Sequence, residues 1–456
     1  MSRLLATASP LGELPEGWAV ARLKDITTKV GSGATPKGGE SNYLRVRDRF
    51  ALIRSQNVFD RYFDADGLAY ITDRQAGELR TAEVRRGDVL LNITGDGITF
   101  SRACAVPEHV LPACVNQHVS IIRPDAKRCT SEYLLCYLTH PGIKDYIGSF
   151  NSGGSRRAIT KGHIESFEVP LPPLNLQQAI GSVLGALDDK IALNRRTNET
   201  LECIARAIFK SWFVDFDSVR AKAEGRQPAG MDAETAALFP ARFTEWRNRY
   251  LPYGWRLGCV SELGDVICGK TPATANKANY GAEIPFITIP DMHGKVFVLS
   301  AARSLSTQGA VSQANKTVPP RSVCVSCIAT PGLVAMTTEA SQTNQQINTV
   351  IPRDDQAAFY AFFCLRDLGD DIRARGSGGS VYHNLNKGQF SALEIALPSD
   401  EVVSRFGQAV APAFDLLLLN DRQTLTLMAL RDTLLPKLLS GEFRIRDAEK
   451  MVEANV

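Results

Sequence analysis

Residues 264–272, GDVICGKTP, satisfy the phosphate-loop pattern G-x-x-x-x-G-K-[ST] through Gly264, Gly269, Lys270 and Thr271. In a genuine loop of this kind, backbone N–H groups cradle phosphates, the lysine reaches them, and a helix begins at once. Pro272 follows Thr271 directly, where that helix would have to continue. A second, diverged copy of the segment keeps Gly33, Thr35 and Pro36 but has Ala34 in place of Lys270 and Thr28 in place of Gly264. No convincing strand ends in a magnesium-holding aspartate. The shared pattern is G-x-T-P, which reads as a turn after a strand. CVSC (324–327) is a lone C-x-x-C without a second pair, and in a strand its two thiols point to opposite faces, so buried strand cysteines are favoured over zinc. The six histidines have no ligand spacing. Neither a G-x-S-x-G elbow nor an H-E-x-x-H helix occurs. LPPLN (171–175) lacks the residues of the Asp/Asn-Pro-Pro-aromatic motif of amino-methyltransferases, and Asp215 and Asp217 read as solvated charges.

The remaining chemistry is that of phosphate and base contact. SGGSRRAITK offers flexible glycines, hydroxyls, Arg156, Arg157 and Lys161; SGGSVYHNLNK offers Tyr382, His383, Asn384 and Lys387 at the same place in the second copy. Gly and Ser let a nucleic-acid backbone approach, Arg and Lys neutralise phosphates, and Arg, Asn and Gln can read base edges. YLRVRDRFALIR concentrates Arg45, Arg47, Arg49 and Arg54; in a strand, Arg45, Arg47 and Arg49 would share one face as a basic stripe. Lys37 and Lys277 follow the two G-x-T-P turns. For each loop the alternative is an ordinary solvated turn. NQH (116–118) and NQQ (344–346) recur as well, either as readout groups or as an internal hydrogen-bond device, with the second slightly favoured.

The elements that must position these residues are written twice. LPEGWAVARLKDITTKVGSGATP (14–36) returns as LPYGWRLGCVSELGDVICGKTP (251–272), VNQHVSIIRP (115–124) as TNQQINTVIP (343–352), and SGGSRRAITKGHIESFEVPLP as SGGSVYHNLNKGQFSALEIALP. Trp18 and Trp255 belong to this common frame, whereas the loop contents differ. Each copy begins with about 150 residues of short β-branched runs, turns and a few helices, and ends in a long helix. In the first helix Ile180, Leu187, Asn194, Leu201 and Ile208 recur every seven residues, with Leu184, Ile191, Asn198, Ala205 and Trp212 four residues later. Adding 226 gives Phe406, Val410, Ala413, Leu417, Asn420, Thr424, Leu427, Arg431, Leu434 and Leu438. This 4-3 alternation is a coiled-coil seam, and a buried Asn at the equivalent positions 194 and 420 would fix its register. Pairing of the two helices ranks above packing of each on its own domain.

The predicted fold class is α/β (α+β), with two pseudo-repeated domains joined by two long coiled-coil helices. The expected boundaries are a first domain at 1–171, a first helix at 172–214, a linker at 215–250, a second domain at 251–398, a second helix at 399–445 and a flexible tail at 446–456. The chain has 456 residues, 44% apolar and 22% charged, and a net charge of +3, too mild by itself to prove a nucleic-acid partner. Ten scattered cysteines, no secretory signal and no window near the ~20 apolar residues of a membrane span point to a reducing cytoplasm and no membrane.

With the LPEGW and LPYGW openings, the G-x-T-P turns, the run ITKGHIESFEVPLPPLNLQQAIGSVLGALDDKIALNRRTNETLE and LLPKLLSGEFRI near the end, the chain resembles the specificity subunit of type I restriction-modification systems over almost its full length. One departure is LPSDEVVSRFGQAV, which replaces LPPLNLQQAIGSVL in the second copy and lacks its proline pair. The resemblance implies two target recognition domains at 1–171 and 251–398, each reading half of a split double-stranded DNA target, and two helices that pack antiparallel and set the gap between halves. It implies partnership with two methylation subunits, which bind S-adenosylmethionine, and with up to two restriction subunits, which use ATP and magnesium. No cofactor or metal is expected on this chain. Lengthening the first helix between Leu187 and Leu201 is expected to change the gap and preserve the half-sites. Three alternatives remain: a nucleotide hydrolase using Lys270, a protein-binding scaffold, and a subunit serving a methylation-only system.

Overall fold

In a computed structural model of the chain, residues 8–152, 156–246, 249–328, 330–376 and 385–455 are described. They form two compact units: residues 1–194 with 424–456, and residues 195–423. The repeat is visible in the topology of each.

In unit 1, one antiparallel sheet has the order Ala103–Ala105, Val89–Asn92, Val119–Pro124, Thr27–Ser32. A second has the order Ala69–Ile71, Phe50–Ile53, Ala113–Val115, Glu83–Val84, in which Phe50–Ile53 and Ala113–Val115 run parallel. Unit 2 repeats the plan. Gly264–Cys268, Ile347–Pro352, Val323–Ser326 and Val334–Thr337 are successive neighbours, and Ile284–Ile287 runs parallel to Gln342–Thr343. The strand after each L-P-x-G-W opening pairs with the strand before the long helix: Ala19–Arg22 with Glu168–Leu171, and Arg256–Cys259 with Glu394–Leu397. One helical region differs. Unit 1 has two helices, Ser131–Thr139 and Pro141–Ser149, because Pro141 starts a new helix capped by His140. Unit 2 has no proline there and runs a single helix, Asp355–Gly376.

The long helices are Leu174–Phe209, 36 residues, and Asp400–Leu439, 40 residues. Despite its missing proline pair, the second begins cleanly at Asp400, with Asp400 and Glu401 facing the positive end of the helix dipole. In unit 1, Ile180, Leu184, Leu187 and Ile191 share a core with Leu427, Leu434 and Leu438. In unit 2, Ala205, Phe209 and Trp212 share one with Phe406, Val410, Phe414 and Leu417. Leu201 and Ile208 are only partly buried against it. The strict heptad therefore slips: Phe209 takes the place expected of Ile208, and Phe414 that of Ala413. An α-helix drifts about 20° per heptad from a 3.5-residue repeat, which is enough to move the seam by one position.

Arg431, a polar lapse in the expected seam, is explained by Asp188. Asp188 Oδ1 accepts from Arg431 at 3.0 Å, and its other oxygen accepts from Arg61 at 2.7 Å. The repeat-equivalent positions in unit 2 are Phe414 and Ala205, both buried in its aromatic core. One unit thus uses an ionic cluster where the other uses apolar packing.

Three expectations are corrected. Residues 446–456, expected to be mobile, mostly belong to a helix, Ile445–Glu453, whose Ala448 and Val452 are buried in the core of unit 1. The 3–4 spacing of Ile445, Ala448 and Val452 is an apolar stripe too short to stand out. The segment 215–250, read as a polar linker with short helical turns, does hold short helices, Asp217–Ala223 and Ala233–Ala237, but it also forms a strand pair, Phe243–Trp246 with Arg249–Pro252, and buries Val219 and Phe239 in the core of unit 2. The second long helix also carries a stretch long and apolar enough to cross a membrane by length and composition. Phe406, Val410, Phe414 and Leu417 of this helix are buried in the core of unit 2 and Leu427, Leu434 and Leu438 in that of unit 1, whereas Leu416, Leu419 and Leu425 are exposed.

Candidate nucleic-acid interface

The phosphate-loop reading fails on geometry. Gly264–Cys268 is a β-strand in register with Ile347–Pro352, and no helix follows Thr271. Cys324 lies in the strand Val323–Ser326 and Cys327 just beyond it; burial pushes both thiols up to about 11, which keeps them protonated. Among the described residues no group of His, Cys, Asp and Glu is placed to hold a metal ion.

The repeated turns converge at one end of each main sheet. In unit 1 that end carries the G-x-T-P turn after Thr27–Ser32, the loop after Val89–Asn92 and the NQH turn before Val119–Pro124. Gly33 N–H donates to the Asn116 carbonyl at 3.1 Å. A Cβ on Gly33 would lie 1.7 Å from the Val115 carbonyl oxygen, so only glycine permits this approach. The basic loop is stitched to the same end: Arg157–Ala158 pairs with Thr94–Gly95, and Ile159 N–H donates to the Ile93 carbonyl. His118 shares a 2.6 Å hydrogen bond through Nδ1 with Thr94 Oγ1. Burial, with the neighbouring Arg156 charge adding to it, holds the His118 imidazole below its usual value and favours the neutral ring. Arg156 and Arg157 are exposed here.

Unit 2 builds the same end. Lys270 N–H donates to the Thr343 carbonyl at 2.9 Å, and a Cβ on Gly269 would lie 2.1 Å from the Asn344 carbonyl oxygen. Behind it, Gln313 Nε2 donates to the Lys270 carbonyl and to Gln342 Oε1, both at 2.8 Å, bracing the turn from within. The Lys270 side chain is exposed, and Lys277 opens a short 3-10 turn, Lys277–Asn279. Leu385 N–H donates to the Cys327 carbonyl, as Ile159 does to Ile93 in unit 1. Tyr382, His383 and Asn384, together with most of both SGGS loops, lie outside the described residues. Lys161 and Lys387 open equivalent short helices, Lys161–Glu165 and Lys387–Ser391, capped by Thr160 and Asn386. Lys161 also pairs with Glu165 at 3.4 Å.

The basic stripe does not form. Residues 45–49 make no strand; the strand is Phe50–Ile53. Arg47 is folded back onto the carbonyls of His109, Val110 and Leu111, across the strand Ala113–Val115 from the NQH turn. Arg54 binds Glu40 and the Gly67 carbonyl. Asp48 between the arginines interrupts the strand pattern, and a guanidinium with three carbonyls in reach is satisfied locally. Arg45 and Lys37 remain exposed, apart from this clamp. The NQ turns divide in two: Asn116 and Asn344 are buried, and each accepts from the backbone N–H two residues on, at 3.0 and 3.1 Å. Gln117 and Gln345 are exposed.

Comparison with known proteins gives one answer. A family model described as type I restriction modification DNA specificity domain matches residues 15–203 and 252–409. The HindI specificity subunit of Haemophilus influenzae is 36% identical over 401 residues, covering 79% of this chain and 87% of that protein. The MjaIX specificity subunit of Methanocaldococcus jannaschii is 22% identical over 448 residues, 96% of each. Among solved structures, the S subunit of a type I restriction-modification system from M. genitalium shares the fold, with a TM-score of 0.57 at 11% identity, covering 94% of this chain and 98% of that one.

Proposed function

This chain belongs to the type I restriction-modification DNA-specificity family, and from that premise we propose that it reads a two-part double-stranded DNA target, one half with each unit. It is the DNA-recognition component and not an enzyme. The observation that carries the two-part reading is the duplicated sheet end: the same Gly-Thr-Pro turn and NQ turn in each unit, with the chain after the SGGS loop tied back to that end by Ile159 in unit 1 and Leu385 in unit 2, and different side chains displayed on the turns. A common frame with divergent contents suits two different half-sites. Lys161 and Lys387, which open equivalent helices, and Arg156, Arg157, Lys270 and Lys277 are the proposed phosphate contacts. Arg45 and Lys37 join them as exposed cations; Arg47 is proposed only as the brace of its own loop. Tyr382, His383 and Asn384 are proposed as contacts of the second half-site from their place in the repeated loop.

In this reading the paired helices set the gap between the half-sites. Half-sites one turn of DNA apart are separated by about 34 Å, within reach of helices of this length. Two methylation subunits, carrying S-adenosylmethionine, dock on the helices, and up to two restriction subunits, using ATP and magnesium, join the complex in the cytoplasm.

The test is co-expression of this chain with its methylation subunit and genome-wide mapping of methylated adenines. A split motif with a fixed unread gap is expected. A continuous motif, or methylation without sequence preference, rejects the proposal. Binding should weaken steeply with salt, as phosphate contacts require and a protein-binding scaffold does not. Lys270→Ala should lower DNA affinity, whereas a nucleotide hydrolase would lose nucleotide binding.

A further inference from the structure

We propose that Gln117 and Gln345 are base-reading side chains, one in each unit, aimed by the threonine of the neighbouring G-x-T-P turn. The inference rests on the DNA-recognition role above and names residues within it.

Both glutamines are exposed, yet neither is left to rotate freely. Thr35 donates its hydroxyl proton to Gln117 Oε1, and Thr271 donates to Gln345 Oε1 at 2.5 Å. Fixing a long exposed side chain costs rotamer entropy, up to about 2 kcal/mol for glutamine. Turn closure does not need this bond. Backbone bonds from Gly33 to Asn116 and from Lys270 to Thr343 already tie the turns together, and the buried Asn116 and Asn344 shape them from inside. What the Thr–Gln bond adds is direction for one amide at the sheet end that also carries Arg156, near His118, in unit 1 and Lys270 in unit 2.

Chemistry then limits what that amide can read. Each Oε1 has two lone pairs and spends one on a threonine. In unit 1, Gln117 Nε2 approaches His118 Nε2 at 3.2 Å; a neutral ring with its proton on Nδ1, toward Thr94, accepts one amide N–H. One oxygen lone pair and one N–H remain. Those are the acceptor and donor with which glutamine holds adenine N6 and N7 together. Unit 2 has Gln346 where unit 1 has His118, with Gln346 Oε1 taken by Asn344 Nδ2 at 3.0 Å. Its Gln345 presents the same pair of groups. The two half-sites should therefore share one adenine read in the same manner, while differing elsewhere.

The experiment uses the full chain assembled with its methylation subunit, with methylated sites mapped for wild type and variants. Gln117→Ala should relax the preference for adenine at one position of one half-site by about 5- to 100-fold, corresponding to a bidentate base contact. It should leave the other half-site unchanged, and Gln345→Ala should do the converse. Gln117→Glu keeps the acceptor and the threonine bond but loses the donor, so preference at that position should move toward cytosine. Thr35→Val, a change in a positioning residue, should relax the same position, and Thr35→Ser should restore it. A variant motif identical to wild type at every position overturns the inference, as does a uniform loss of methylation across both half-sites. If wild type itself yields no split motif, the functional reading fails first, and this inference with it.

Discussion

Asn420 donates from Nδ2 to Asn198 Oδ1 at 2.9 Å across the helix pair of unit 2. Subtracting the repeat offset from one partner and adding it to the other gives Asn194 and Thr424, and these meet in unit 1, at 3.5 Å from Asn194 Nδ2 to Thr424 Oγ1. The same polar device is thus used twice, each time between a seam asparagine and the residue equivalent to 198 or 424 on the opposite helix. An apolar seam tolerates slippage by a heptad, whereas a polar pair loses its partner on slipping. Alanine at position 420 should destabilise unit 2 by about 1–2 kcal/mol, and the Asn198→Ala, Asn420→Ala double variant should cost less than the sum by about 1 kcal/mol. Urea unfolding followed by tryptophan fluorescence reports on this unit, because Trp212, Trp246 and Trp255 belong to it and only Trp18 to the other. Strict additivity would remove the pairing.

The Arg61–Asp188–Arg431 cluster predicts an order of sensitivity. The Arg61 side chain is 4% exposed and that of Arg431 12%. Removing Asp188 takes the carboxylate from the nearly buried Arg61, while Arg431 keeps Asp432 at 2.9 Å, so Asp188→Ala should destabilise unit 1 by about 3–5 kcal/mol, chiefly through Arg61. Arg431→Ala leaves Asp188 paired with Arg61 and should cost clearly less. Hydrogen exchange resolved to unit 1 would measure both, and equal losses would show that Arg61 does not hold Asp188.

Much of this was legible in the sequence because it is written twice. The ordered repeat, whose offset drifts only from 237 to 225 residues, located both helices, their seam and the asparagines, and it exposed Lys270 as a chance match. Contacts with no echo in the other copy were not legible. Asp188 faces Arg431, but its equivalent is Phe414, so comparison of the copies erased the signal. Arg47 looked like part of a stripe because side-chain alternation says nothing of carbonyls more than 60 residues away. The tail helix has only four apolar residues, of which Met451 lies off the buried stripe, too few for periodicity to register. The exposed glutamines were overlooked because the NQ pair was read as one device, whereas burial divides it into an internal asparagine and an outward amide.

Asp421 gives a pH dependence. Burial raises its carboxyl above the ordinary value, and the Asn198 hydrogen bond at 2.7 Å with the charges of Lys295 and Arg195 offsets only part of this. The folded state therefore holds this proton more tightly than the unfolded chain. Stability at the site falls as pH rises from the ordinary carboxylate value, about 3.9, through the raised folded value. Asp421→Asn keeps an acceptor for Asn198 and cannot ionise. Its melting temperature relative to wild type should rise with pH across that window and level off above it. A difference independent of pH would show that the carboxyl titrates normally.

Exposed leucines on the long helices bear on assembly. Leu193 in unit 1 is 50% exposed and its repeat equivalent in unit 2, Leu419, is 61% exposed, with Leu416 also exposed three residues before it. Apolar residues kept at the same outward position in both copies fit a partner surface better than solvent. Leu193→Asp and Leu419→Asp should leave the melting temperature within about 1–2 °C, as surface changes do. Each should weaken co-purification of the methylation subunit at least tenfold. Unchanged assembly by both would move the docking surface elsewhere.

The final prediction concerns the gap between half-sites. Because polar pairs fix register at 194–424 and 198–420, lengthening one helix alone would separate them from their partners. Seven residues added to both helices, between Leu187 and Leu201 and at the equivalent place between Ala413 and Leu427, preserve the apolar repeat. Each helix lengthens by about 10 Å, or about three base pairs at the 3.4 Å rise of a DNA duplex. Mapped methylation sites should then keep both half-sites and show a gap wider by about three base pairs. The sequence alone predicts that lengthening the first helix by itself changes the gap and keeps the half-sites; with the polar pairs at 194–424 and 198–420 fixing register, a four-residue insertion in that helix alone should instead abolish methylation. Altered half-sites with an unchanged gap would show that the helices do not measure distance.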